Sequence, residues 1–188
     1  LRDVEKAVGY LSEFQSVGFD TETRPSFKKG QRYKISLMQI STDEACFLFR
    51  LNRIGIPEAL EEFLANEKVL KIGLSLRDDF GAMRKRTDIQ PANFLDLQNY
   101  VGQFGIEDAS LQKIYAILFG EKISKSQRLS NWEAETLTEP QKLYAATDAW
   151  ACLNIYNRLQ ELKRTGDFEI EANNNCLLYT SPSPRDRG

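Results

Sequence analysis

Three strand-like runs crowd the first third of the chain: SVGFDTE (16–22), YKISLMQIS (33–41) and ACFLFRL (45–51). A basic linker, PSFKKGQR (25–32), separates the first two, and residues 42–44 are short enough for a hairpin turn between the second and third. Pro57 opens a helix over PEALEEFLAN, as suits proline in a first turn. VLKIGLS (69–75) reads as a buried strand, and DDFGAMRKR continues from it as a helix. A short extended piece, NFLDLQNYV, precedes a helix over SLQKIYAILFG that stops at Gly120. A polar segment then leads to a long helix from about Glu139 to Leu162. Strands first, then alternating extended and helical units, predict an α/β fold with a mixed central β-sheet flanked by α-helices.

Composition narrows the chemistry. The chain of 188 residues, 41% apolar, is the size of one domain, expected over residues 1–170. It begins at Leu1, inside an amphipathic helical pattern over residues 1–15, as expected of a piece of a longer reading frame. The stretch CLLYTSPSPRDRG (176–188) matches the conceptual translation of a sequencing-library adapter, so a non-native tail is expected there and is left out of the fold. No apolar run reaches membrane-spanning length, which makes a soluble, cytoplasmic protein the expectation. Cys46, Cys152 and Cys176 show no CxxC spacing, which fits a reducing compartment and argues against a thiolate zinc site.

Net charge is −2, so any polyanionic partner must be held by local patches or by metal. The chain has no histidine. That excludes Ser/His/Asp and Cys/His nucleophilic machinery and HExxH zinc sites, and leaves carboxylates, hydroxyls, cations and bound metal to do any chemistry.

Three motifs carry such chemistry. Asp20 and Glu22 leave the apolar strand VGF two positions apart, so both point to one face and repel unless a cation lies between them. A DxE pair alone is a weak signal, and Glu133 and Glu135 form another that reads as a solvated surface pair. In the last helix, Tyr144 and Asp148 are i and i+4 and share a face. The plain alternative is a phenol at the core edge beside a surface aspartate. In GLSLRDDFGAM (73–83), Asp78 and Asp79 open a helix whose dipole favours carboxylates. One of the two is accounted for as an N-cap, assigned to Asp78, and the metal role goes to Asp79.

FDTET, GLSLRDDF and YAATD, in that order, resemble the three motifs of the DEDD superfamily of 3′-5′ exonucleases, in the tyrosine subgroup of ribonuclease D and the Werner-type exonuclease domain. KISLMQIS after the first motif and KSQRLSNWEAETLTEPQ before the third extend the likeness over about residues 10–162. The resemblance implies a ribonuclease H-like fold. It also implies two Mg²⁺ or Mn²⁺ ions held by Asp20, Glu22, Asp79 and Asp148, with Asp20 bridging and Asp79 acting through water, and Tyr144 orienting the attacking water. The implied reaction is removal of nucleoside 5′-monophosphates from a single-stranded 3′ end, with DNA slightly ahead of RNA as substrate.

Thr21, Lys125 and Arg128 are expected to touch substrate. Lys28, Lys29, Arg32 and Lys34, and the run Arg84, Lys85 and Arg86, are further candidates for phosphate contacts, each weighed against an ordinary solvated face. Trp132 is read as a core anchor ahead of a base-stacking residue. The competing readings are a catalytically silent nucleic-acid-binding module on the same fold and a ribonuclease H-like endonuclease that cuts internally.

Overall fold

The computed structural model describes residues 1–107 and 110–166. One sheet runs through it in the order β3-β2-β1-β4-β5. Its strands are β1 (Ser16–Thr23), β2 (Ile35–Ser41), β3 (Cys46–Phe49), β4 (Leu70–Gly73) and β5 (Phe94–Asp96). β1 pairs antiparallel with β2, and β2 antiparallel with β3, whereas β1, β4 and β5 are parallel, so the sheet is mixed as expected. The β2–β3 hairpin closes on Thr42, whose N–H donates to Ala45 O at 2.8 Å and whose hydroxyl accepts from Ala45 N at 3.0 Å.

Strict alternation along β1 sorts its side chains. Val17 and Phe19, both fully buried, share one core with α1 (Arg2–Leu11), α2 (Leu51–Ile54), α3 (Glu58–Leu64) and α4 (Leu76–Met83) on one face. Gly18, Asp20 and Glu22 point to the other face. There α6 (Leu111–Phe119) and the long α7 (Glu139–Thr165) close a second core around Ile72, Ile114, Ala151 and Ile155.

α7 opens on a capping box. Thr138 N–H donates to Gln141 Oε1 at 2.9 Å while Thr138 Oγ1 accepts from Gln141 N at 3.3 Å. The helix runs to Thr165, a turn past the expected Leu162, and stops where Gly166 takes the left-handed conformation.

Two local expectations are corrected. The extended piece NFLDLQNYV is a strand only over Phe94–Asp96, because Asp96 Oδ1 accepts from Gln98 N at 2.9 Å and caps a short helix, α5 (Leu97–Tyr100). The same carboxylate also receives Ser75 N and Leu76 N, each at 2.9 Å, at the start of α4. Asp96 is therefore the N-terminal cap of α4, and Asp78, expected in that role, is an exposed first-turn residue. A sequence separation of about twenty residues put this partner beyond any local capping pattern.

α7 approaches the sheet closely at Gly18. A β-carbon there would stand 1.8 Å from the Ala149 carbonyl oxygen, so α7 lies directly on β1. Fully buried Ala145 and Ala149 keep the α7 side of this contact small. Gly18→Ala is expected to destabilise the fold by roughly 2 kcal/mol through overpacking. Chemical denaturation checks this, and a change below about 0.5 kcal/mol would show that α7 shifts freely on the sheet.

The expected domain end at residue 170, Cys176 and the tail at 176–188 lie outside the described residues. No helix among the described residues is long and apolar enough to cross a membrane.

Candidate active site

Because α7 rests on Gly18, its Asp148 reaches the carboxylates of β1. One carboxylate oxygen from each of Asp20, Glu22 and Asp148 lies within 4.8 Å of the others. Asp148 is only 5% exposed, and its Oδ1 is buried with no hydrogen-bond partner. Three acids this close, one with an orphaned oxygen, are costly unless a cation joins them.

Asp79 stands outside this group. Its Oδ1 accepts from the Thr21 hydroxyl, on the face of β1 turned toward α4. Its charge still reaches Asp20 and Glu22 and raises both. Of the two neighbouring aspartates, Asp79 is the half-buried one turned to β1, and Asp78 is exposed. Thr21, expected to offer its backbone to substrate, donates its N–H to Asp20 Oδ1 at 2.8 Å and so fixes that carboxylate.

The electrostatics follow from burial and crowding. Desolvation, then the charges of Glu22, Asp148 and Asp79, hold Asp20 well above the usual carboxylate range. Desolvation and the Asp148 charge push Glu22 up to about 8. Asp79 and Asp148 are each raised to about 7 by desolvation, against the pull of hydrogen bonds from Thr21 and Tyr144 respectively. Desolvation and the Asp148 charge raise the Tyr144 phenol, which therefore stays protonated and able to donate.

The donor set fits a hard divalent cation, since it offers only carboxylate oxygens. Cys152 lines the cavity beside these acids, but burial raises its thiol well above the ordinary value and keeps it neutral.

A cavity of about 280 Å³ opens beside the acids. Asp20, Tyr144 and Asp148 form one side, and Lys125 and Arg128 form part of its lining, so both of these predicted contacts are brought to the acids. Arg128 is close enough to lower Glu22 and Tyr144. The segment carrying these cations is pinned by Trp132, which is fully buried and stacked on the Tyr144 ring at 6.0 Å. Trp132 is thus a core anchor.

Two other expectations change. Glu133, read as solvated, is half-buried and paired with Arg24 at 3.6 Å, whereas Glu135 is exposed. Arg86, a candidate phosphate contact, has its Nε bonded to Ile35 O at 2.9 Å.

Sequence reasoning missed Gln39, Ser110 and Gln112. Gln39 faces Asp20 across the β1–β2 ladder, and its Nε2 donates to Ala145 O at 3.0 Å and toward Glu22 Oε1 at 3.4 Å. A polar residue in the apolar run ISLMQIS was the available signal. Ser110 and Gln112 line the cavity from the start of α6, and no local pattern marks them.

A family model described as 3′-5′ exonuclease matches residues 2–163. The chain belongs to the 3′-5′ exonuclease family. The exonuclease domain is 34% identical over 161 residues to the mouse bifunctional 3′-5′ exonuclease/ATP-dependent helicase WRN, covering 82% of this chain and 12% of that protein.

Its fold matches the Aedes aegypti Nibbler EXO domain with a TM-score of 0.76 at 23% identity, over 93% of this chain and 91% of that one. It also matches Escherichia coli RNase D, an exoribonuclease involved in structured RNA processing, with a TM-score of 0.75 at 21% identity, over 94% and 47% of the two chains. The domain is thus of the Werner type within the DEDD superfamily, and it shares the ribonuclease H-like fold of ribonuclease D and the Nibbler domain. It spans a small part of the mouse relative's length.

Proposed function

We propose that this chain is a metal-dependent 3′-5′ exonuclease that shortens a single strand by releasing nucleoside 5′-monophosphates. The observation that carries the reading is the convergence of Asp20, Glu22 and Asp148, with the Asp148 Oδ1 buried and without a partner. In this reading those three acids hold divalent cation, with Asp79 as the fourth, outlying acid. What two such ions, Mg²⁺ or Mn²⁺, supply when bound is positive charge and Lewis acidity at the scissile phosphodiester.

The chain's own groups do the rest. The protonated Tyr144 hydroxyl orients the attacking water through a hydrogen bond to its oxygen. Lys125 and Arg128, which line the same cavity, hold phosphate oxygens. Thr21 keeps the Asp20 carboxylate aimed through its N–H. Water oxygen bonds to phosphorus and releases its protons to solvent, the bond from phosphorus to the 3′ oxygen breaks, and that oxygen takes up a proton from solvent to become the new 3′ hydroxyl. We place DNA ahead of RNA, on the nearer likeness to Werner-type motifs, and place the protein in a reducing, cytosol-like compartment on its free Cys46 and Cys152.

The test is digestion of matched labelled DNA and RNA oligonucleotides with Mg²⁺ or Mn²⁺, recording products and polarity. Release of 5′-monophosphates from the 3′ end is expected. Digestion no faster than that by the Asp20→Ala/Glu22→Ala variant would make this a silent binding module. Cutting of a circular strand would make it an endonuclease.

A further inference from the structure

A second groove, of about 270 Å³, opens beside the first, lined among others by Arg24, Phe27, Lys28, Tyr33, Leu129 and Asn131. Both of its walls are joined to the acidic site along the chain. One wall is the β1–β2 connection, which leaves β1 directly after the strand that carries Asp20 and Glu22. The other begins at Leu129, the residue after Arg128, which itself lines the acidic cavity.

The chemistry of the groove is unusual for a solvated loop. Phe27 is 84% exposed and Leu129 is 67% exposed, and both line this one depression. Single exposed apolar side chains are ordinary, but two facing a common groove next to an active site mark a contact surface. Tyr33 lies under the Arg24 guanidinium, 4.9 Å from its ring centroid.

The segment TRPSFKKGQRYK (23–34) carries five cations and no acid. Its turn is organised by Gln31 N donating to Lys28 O at 3.2 Å and by Gly30 in the left-handed conformation. Trp132, fully buried three residues after Leu129, and the bond from Gln141 Nε2 to Asn131 O at 3.3 Å hold the opposite wall.

Arg24 is engaged by Glu133, but the exposed apolar and aromatic faces, interleaved with Lys28, Lys29, Arg32 and Lys34, suit unstacked bases on a phosphate backbone. A duplex keeps its base faces hidden, so the matching occupant is a single strand. We propose that this groove seats the nucleobases immediately 5′ of the cleaved nucleotide, stacked on Phe27 and Leu129, with Lys28 on the backbone phosphate. This rests on the exonuclease reading and specifies how that site takes its substrate.

The test compares wild type with Phe27→Ala/Leu129→Ala on a fluorescent oligothymidine of roughly 15 nucleotides, longer than the groove. Binding is measured by anisotropy in Ca²⁺, and KM and kcat in Mg²⁺. The double variant should bind about ten-fold more weakly and show a KM about ten-fold higher at unchanged kcat. Its turnover of the methyl ester of thymidine 5′-monophosphate, which carries no nucleobase 5′ of the scissile bond, should equal wild type. Phe27→Trp, which keeps a stacking face, should retain wild-type affinity.

Equal binding of the long strand by the double variant and wild type would overturn the proposal and leave the surface to a protein partner. A loss shared by Phe27→Trp would overturn stacking as its basis. If the wild type binds without cleaving, the exonuclease reading fails while the anisotropy comparison still decides the groove.

Discussion

Replacing Asp148 by asparagine should slow strand hydrolysis on the order of 10³-fold, equivalent to about 4 kcal/mol of barrier, with the fold intact. Asparagine keeps the volume and one carbonyl oxygen but removes the charge that, with Asp20 and Glu22, makes the site a cation trap. The substitution should also act in the opposite sense on stability. In chelator at pH 8 the variant should melt above wild type, because a buried carboxylate crowded by two others has been neutralised. Single-turnover rates and melting curves on the same preparations check both halves. An Asp148→Asn protein that digests a single strand at the wild-type rate would remove Asp148 from the chemistry.

Divalent cation should stabilise the wild-type fold, and the effect should grow with pH. The sign follows from the direction of the shifts. Glu22 is raised from 4.5 to about 8, and Asp79 and Asp148 from 3.8 to about 7, so the folded chain binds these protons more tightly than the unfolded chain. Their contribution to stability is fully present below the unfolded values, near pH 4, and is lost as pH rises through about 7 to 8. Without cation the fold should therefore weaken steadily as pH rises from about 4 to about 8.

Cation bound among the carboxylates offsets the lost protons. At pH 8, millimolar Mg²⁺ or Mn²⁺ should raise Tm by about 10 °C or more, and near pH 4 by almost nothing. Calorimetry at the two pH values, with and without chelator, is the measurement. A shift that is absent at pH 8, or equal at both, would mean that the three acids do not share a cation.

These effects depend on features of different legibility. The order of strands and main helices was readable because each is marked locally: the apolar run ending in the DxE pair of SVGFDTE, Pro57 at the opening of α3, and Gly120 at the end of α6. Asp20 with Glu22, and Tyr144 with Asp148, were each assigned to a shared face for the same reason, since pairs spaced by two in a strand or four in a helix leave little choice.

Element ends were less legible where the decisive partner is distant. Asp96 caps α4 from the neighbouring strand, so no inspection of RDDF finds the cap. Glu133 gained Arg24 as a partner across the molecule and ceased to be a solvated residue.

By itself, then, the sequence determined the α/β class, the histidine-free chemistry and the two carboxylate-bearing faces, because these depend on residue type and on spacing within single elements. Only the tertiary structure decided that Gly18 lets α7 down onto β1, that Asp148 closes on Asp20 and Glu22 while Asp79 turns to Thr21, and that Gln39, Lys125 and Arg128 meet at the same place. Contacts of that kind join elements far apart in the chain, and they are set by how closely surfaces pack rather than by any local pattern.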